Sequence, residues 1–421
     1  MRATDPWWTH PGLQVRDGRL LVAGRDAQGL SRDHGTPLYV YDLARIGEQA
    51  AALQGAFARR GVPFRLRLAL KAQRDPAVLG YLRSLARPGS ARGVGLDVCS
   101  PGELAHGLRH GWRPEEISYT GTNVSERDLD AILAHPVHVN VDLLSQLERF
   151  GRRGRGRRVG LRVNPRRGAA SGVGRADLYS GGARPSKFGI LEEQLPEALA
   201  VAGRLDLTID TVHFHVGDGF LDEGLPRFAK AVDAVARMTG TLLEAGCPIA
   251  EVNAGGGLGV PQGPGQAPLD LDAYAGILVE RLGPLGVGLA AEPGDFLTKE
   301  MGVLLAEVVS MELREGVTFV GLDAGYNVAP ERFIYGSPLP VVPCLGPDAP
   351  PAGPVTITGN INEGDDVFAE DLPLPAVAEG DVLAMLGVGS YNASMHLDHC
   401  LRPAARVVAF PHRRGRRPEL G

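Results

Sequence analysis

The sequence predicts an α/β protein in which a (β/α)8 TIM barrel is followed by a C-terminal antiparallel β domain. At 421 residues the chain is longer than one compact core usually accommodates, so two domains are expected. From about residue 40 to about residue 300, short apolar runs alternate with amphipathic helical stretches, the pattern of a parallel sheet; about 250 residues is the usual size of a closed eight-stranded barrel. After that the helical stretches stop, and short β-type runs separated by Gly and Pro take over.

In chain order, residues 1–38 include GLQVRDGRLLVAG, a strand–turn–strand pattern expected to join the β domain. Residues 39–300 are assigned to the barrel. RLRLALKA, VHVNVDLL, RVGLRVNP, DTVHFHVG, IAEVNAGGG and VGLAAEPG read as buried strands ending in polar or glycine-rich residues. DPAVLGYLRSLA, SPGELAHGLRHG and GLPRFAKAVDAVARMTGTLLEAG read as helices between them, and GVPQGPGQAPLD (259–270) as a loop. Residues 301–421 are assigned to the β domain through MGVLLAEVVSMEL, TFVGLDAG, PVTITGNI, GDVLAMLGVG and ARVVAF.

Composition narrows the partners. With 44% hydrophobic and 22% charged residues the chain is an ordinary globular one, and a net charge of −5 gives no global reason to bind nucleic acid or an anionic membrane. The basic runs GRRGRGRR (151–158) and PHRRGRRPELG lack interleaved aromatics and read as solvated loops. MRATDPWWTHPG has no signal-peptide core, and no run reaches the roughly 18 apolar residues of a membrane span. Cys99, Cys247, Cys344 and Cys400 lack metal-ligand spacing, so reduced thiols in the cytoplasm and no metal are expected.

The chemically informative residues, Lys71, Asp97, Arg162, His215, Gly255 to Gly257 and Glu292, fall at or just after the C-terminal ends of the strand runs, where such a barrel builds its active site. Lys71 in ALKAQ either snorkels out or is used, and burial would lower its pKa and sharpen it as a nucleophile. NAGGGLG (253–259) is either a tight turn or a loop of backbone N–H groups for a phosphate. His213 and His215, two apart in HFHVGDG, are expected to face the same way. Glu292 in AEPGDF needs a partner if half-buried.

In this order, ALKAQ, GLDVCSPGEL, LRVNP, SKFGI, HVGDG, NAGGGLG, AEPGD, DAGYN and GSYNASM resemble the fold-III pyridoxal phosphate decarboxylases that act on diaminopimelate, ornithine and arginine. The resemblance runs from HGTPLYVYD (34–42) to LRPAARVV (401–408) and implies an alanine racemase-like fold. It implies that Lys71 joins pyridoxal 5'-phosphate through its amine, that His215 stacks on the ring, and that Glu292 keeps the ring nitrogen protonated. Gly217 and Gly255, Gly256 and Gly257 would line the phosphate, Tyr391 would add a hydroxyl, and Asp97, Glu103 and Arg162 would surround the lysine and ring. The activity implied is α-decarboxylation of a polar amino acid by a cytoplasmic homodimer. Lys71, His215 and Glu292 would come from one chain, Asn362 and Tyr391 from the other. A racemase or epimerase of the same fold is the alternative; a carboxylate at the ring nitrogen suits decarboxylation better than the arginine of alanine racemases.

The chain also departs from the family pattern. In TGNINEGDDVF (358–368), Asn362–Glu363 stands where the family has Cys–Glu, and that cysteine returns a proton to the substrate carbon. Water, Cys344, Cys400, His396 or Tyr391 would have to replace it. Asp295 stands for the arginine of EPGR, and Asp218 for the serine of HVGS. These two acids either point away from the phosphate, are compensated by Lys299 or Lys187, or bind a cationic substrate group. In PERFIYGSPLP, Tyr335 is kept, Glu331 replaces a carboxylate-binding arginine, and Arg332 stands beside it as a substitute. Asp295, Arg332, Tyr335 and Glu363 are therefore the expected substrate contacts.

Overall fold

The structure is a computed structural model that describes residues 6–85, 93–169, 179 and 185–413. Its chain forms two compact units: residues 1–48, 261–267 and 297–421 make one, and residues 49–260 and 268–296 the other.

The first unit opens with strands β1 (Leu13–Arg16), β2 (Arg19–Val22) and β3 (Arg25–Asp26), which pair with one another as a separate three-stranded sheet rather than extending the larger one. The N-terminal strand that does join the larger sheet is β4 (Leu38–Asp42). All five of its residues are buried, so it needs neighbours on both edges and both faces.

The second unit holds the barrel. Its strands are β5 (Phe64–Ala69), β6 (Val94–Val98), β7 (Ile117–Gly121), β8 (His138–Val141), β9 (Arg158–Arg162), β10 (Thr208–His213), β11 (Glu251–Asn253) and β12 (Gly288–Ala291). All pair in parallel, and β12 closes on β5 through Leu289↔Phe64 and Ala291↔Leu66. Helices Pro76–Leu85, Pro101–Arg109 and Leu225–Glu244 occupy three stretches with helical periodicity. The second starts cleanly because Ser100 accepts a hydrogen bond from Glu103 N and Pro101 follows it. VGLDV and ISYTG supply β6 and β7; Asp97, Ser118 and Thr120 interrupt their apolar runs, which made them less conspicuous than the other six.

The remaining strands, β13 (Gly302–Arg314), β14 (Val317–Leu322), β15 (Val341–Pro343), β16 (Gly353–Thr358), β17 (Val367–Leu374), β18 (Val382–Leu386) and β19 (Arg406–Phe410), complete the first unit. The expected all-antiparallel sheet is in fact mixed: β14 pairs with β16, and β19 with β4, in parallel. Parallel pairing needs a long connection, and 30 residues separate the end of β14 from the start of β16. The core of this unit gathers Leu20, Leu38, Val40, Leu305 and Ala384 around a fully buried Cys344.

Candidate active site

The barrel brings the predicted residues to one end. Lys71 lies two residues past β5 and Asp97 is within β6. Arg162 and His213 close β9 and β10, the glycine run follows β11, and Glu292 comes directly after β12. The register explains the first pair: Ala69 sits opposite Asp97, and Leu70 N donates to Asp97 O at 2.9 Å, which carries Lys71 over the end of β6.

Glu292 is held by two buried partners that the sequence did not single out for this role. His213 Nε2 lies 3.0 Å from Glu292 Oε2, and Asn253 Nδ2 donates to Glu292 Oε1. Burial alone would raise the Glu292 pKa; His213, Arg67 and Asn253 outweigh it, and the carboxyl sits below its ordinary range. An ionised carboxylate only accepts, so His213 donates through Nε2–H, and its buried Nδ1 has no partner among the described residues. β10 ends at His213, and the two histidines take different partners. His213 turns to the acid, whereas His215 accepts from Gly256 N through Nδ1 at 3.3 Å.

Lys71 departs from the expected depression. Lys71 is solvent-exposed, and its partial desolvation pulls the ammonium down, but Asp97, Cys99 and Asp218 together leave it above the ordinary lysine value. Asp97 is itself buried, and burial with Glu292 nearby pushes its carboxyl well up; its Oδ1 has no hydrogen-bond partner among the described residues. Cys99 places a thiol-bearing side chain here, its Sγ 3.4 Å from Glu103 Oε2. The Arg162 guanidinium lies over the Phe188 ring at 4.3 Å and 3.7 Å from Asp142.

Asp218 is accommodated by its own neighbours in the barrel unit. Burial would raise its carboxyl, but His215 Nε2 at 3.4 Å, then Tyr179 and Lys71, bring it below the usual range. The His215 ring also meets Tyr179 edge-on at 4.6 Å. Burial lowers the His215 pKa against the pull of Asp218, so the imidazole is neutral near pH 7. Lys187 sits over Phe188, and Lys299 pairs with Glu331 in the other unit. Asp295 opens the short helix Asp295–Thr298.

The glycine run is a close crossing of two loops. A Cβ on Gly255 would come within 2.4 Å of Phe214 O, and one on Gly257 within 2.1 Å of Gly217 O, so the loops after β10 and β11 approach as only glycine allows. Gly217 and Gly257 both take positive φ, 133° and 107°. Gly255 N already donates to Asn253 Oδ1 at 3.0 Å and Gly256 N to His215, so these two amides turn inward. The cradle fits a phosphate-bearing aldehyde: it offers a primary amine, an anionic acceptor with lone pairs to spare, and unpartnered buried atoms on Asp97 and His213.

The predicted residues of the other unit form a group of their own. Asn362 and Glu363 are exposed on a loop that the buried Asp366 folds by accepting from Tyr326 N at 2.9 Å and Ile361 N at 2.7 Å. Glu363 also lies 3.0 Å from His399 Nε2. The rings of Tyr335 and Tyr391 meet edge-on at 5.7 Å, and Arg332 lies one turn before Tyr335 in the helix Glu331–Tyr335. Of the candidate proton donors, Cys344 is sealed in the core, with burial raising its thiol far above the usual range; Cys400 is exposed.

Comparison with known proteins gives this geometry a family context. Residues 43–299 match the family model described as pyridoxal-dependent decarboxylase, pyridoxal binding domain. The chain is 35% identical over 408 residues to the diaminopimelate decarboxylase of Methanothermobacter thermautotrophicus, covering 94% of this chain and 92% of that one. It is 30% identical over 410 residues to the diaminopimelate decarboxylase of Escherichia coli K12, covering 92% and 91%. Among solved structures, diaminopimelate decarboxylase from M. jannaschii in complex with L-lysine superposes with a TM-score of 0.85 at 27% identity, covering 95% of this chain and 93% of that one.

Proposed function

The chain belongs to the pyridoxal-dependent decarboxylase family, and from that premise we propose that it removes the α-carboxylate of a diamino acid of the diaminopimelate type. The observation that carries the reading is Glu292, buried, ionised and gripped on both oxygens by His213 and Asn253. Bound at this cradle, pyridoxal 5'-phosphate supplies an electron sink for the bond between the substrate's Cα and its carboxylate. An anion fixed opposite the ring nitrogen favours a proton there, which strengthens that sink. Lys71 provides the amine that holds the cofactor, and the neutral His215 provides a flat face for its ring. Phosphate contact falls to the Gly257 N–H, since the Gly255 and Gly256 amides are committed elsewhere. Asp97 and Arg162 would stand around the amine and the bound ring.

The same proposal covers what lies in the other unit. Two copies of the chain form a cytoplasmic homodimer, so that Asn362, Glu363 and Tyr391 from one copy complete the site of the other. Arg332 and Tyr335 meet the distal end of the substrate, and Asp295 its amino groups. The four cysteines are free thiols, consistent with a reducing compartment, and among the described residues no helix is long and apolar enough to cross a membrane. Reprotonation proceeds without a thiol at residue 362, because an amide supplies no proton near neutral pH.

The test is a screen of L- and D-diamino acids, including diaminopimelate, lysine, ornithine and arginine, for CO2 release. The expected product lacks the mass of CO2. A product of unchanged skeleton that gains one deuteron in heavy water would replace this reading with epimerisation.

A further inference from the structure

We propose that Lys299, Glu331 and Asn392 form a positioning network that sets Tyr335 and Tyr391, and that Glu331 is thereby withdrawn from substrate binding. What the two tyrosines serve rests on the decarboxylase reading above; the network itself rests on the geometry.

The Lys299 and Glu331 side chains are both buried, 4% and 6% exposed, and a buried charge of either sign is tolerated only when paired. Glu331 Oε1 takes the Lys299 ammonium, and Oε2 accepts from Asn392 Nδ2 at 2.9 Å. Asn392 Oδ1 in turn accepts from Glu331 N at 3.2 Å, so one amide grips both the carboxylate and the backbone of residue 331. The backbone of Lys299 adds a third tie, its carbonyl accepting from Gly389 N at 3.1 Å. Gly389 admits no side chain there, since a Cβ would stand 1.9 Å from Thr298 O. Three segments distant in sequence, 298–301, 331–335 and 389–392, are thus pinned to one another.

Tyr391 lies inside the third segment with φ of 57°, a left-handed conformation that a side-chain-bearing residue keeps only when its surroundings impose it. Asn392 imposes it from the next position, donating through its backbone N–H to Ser390 O at 2.6 Å and through Nδ2 to the same oxygen at 3.0 Å. Tyr335 ends the helix that Glu331 begins, and its ring packs against that of Tyr391. Residue 331, where the family places a cation for the substrate's distal carboxylate, spends both oxygens internally. Recognition of a distal carboxylate passes to Arg332, whose guanidinium makes no ion pair among the described residues.

The test uses Lys299→Met/Glu331→Leu, which removes both charges together, with Glu331→Gln as a second variant and Lys299→Arg as the conservative one. Hydrogen exchange of the full chain is expected to rise about tenfold in peptides covering 329–336 and 388–396, and to stay unchanged in those covering barrel strands 64–69 and 288–291. With cofactor saturating, KM for the responding diamino acid is expected to rise about tenfold while kcat falls less, and Lys299→Arg to retain both values. A double variant with wild-type Tm, exchange and KM would overturn the network; if that variant does not fold, the same comparison on Glu331→Gln decides. If the wild type releases CO2 from no diamino acid, the functional reading fails, and the exchange measurement still judges the network.

Discussion

His213 Nε2 lies 3.0 Å from Glu292 Oε2, with both side chains buried at the end of the barrel. This pair links the end of β10 to the residue after β12, across the intervening β11, and fixes which way the acid points. Glu292→Gln should therefore retain the fold and the cofactor while lowering kcat by about two to three orders of magnitude, the range seen when one group aimed at the reacting charge is lost. Steady-state CO2 release with cofactor saturation measured in parallel checks it.

Asn253→Ala should leave Glu292 half-satisfied. The expected cost is about 1–3 kcal/mol of stability, because a buried acceptor loses its donor. Chemical denaturation measures it, and an unchanged midpoint would mean that water takes the place of the amide.

The acid limb of stability follows from the same carboxyl. Its folded pKa is depressed, so its contribution is fully present above the ordinary value of 4.5 and is lost as the pH falls below it. Melting temperatures of wild type and Glu292→Gln should therefore differ most near neutral pH and converge as the pH falls through about 2.

Asp218 raises Lys71, so Asp218→Asn should free the amine at lower pH and remove an anion from the phosphate's surroundings. Capture of pyridoxal 5'-phosphate by the apoprotein near neutral pH should quicken, since a lower amine pKa enlarges the unprotonated, reactive form. Visible absorbance of the bound cofactor follows it, and Lys71→Ala should abolish that absorbance.

Cys344→Ala should destabilise the chain by about 1–3 kcal/mol through the cavity it leaves, and should not alter CO2 release. A loss of turnover at unchanged stability would restore Cys344 as a proton donor.

The barrel was legible because six of its strands are apolar runs closed by polar or glycine-rich residues, and each such closure marks the site end. VGLDV and ISYTG were harder to see, since polar side chains interrupt them. Glu292 and Lys71 stood out as charges at the ends of apolar strands. Their supporters did not: Asn253 reads as the first letter of a glycine motif, and His213 as half of a histidine pair, until the sheet register sets them beside Glu292. The rise in Lys71 was illegible for the same reason, since Asp97 and Asp218 are far from it in sequence. Asp366, which folds the loop bearing Asn362, looks like any surface acid in GDDVF.

Strand β4 completes its pairing only with β13 on one side and β19 on the other, more than 250 residues later in the chain. On the ribosome, the buried-type segment LYVYD emerges before both of its partners and must wait until β13 and β19 have been made before its edges are covered. Nascent chains of this enzyme should accordingly carry a sticky, unshielded strand throughout synthesis of the barrel, and demand for chaperones should fall only once residues 406–410 have left the exit tunnel.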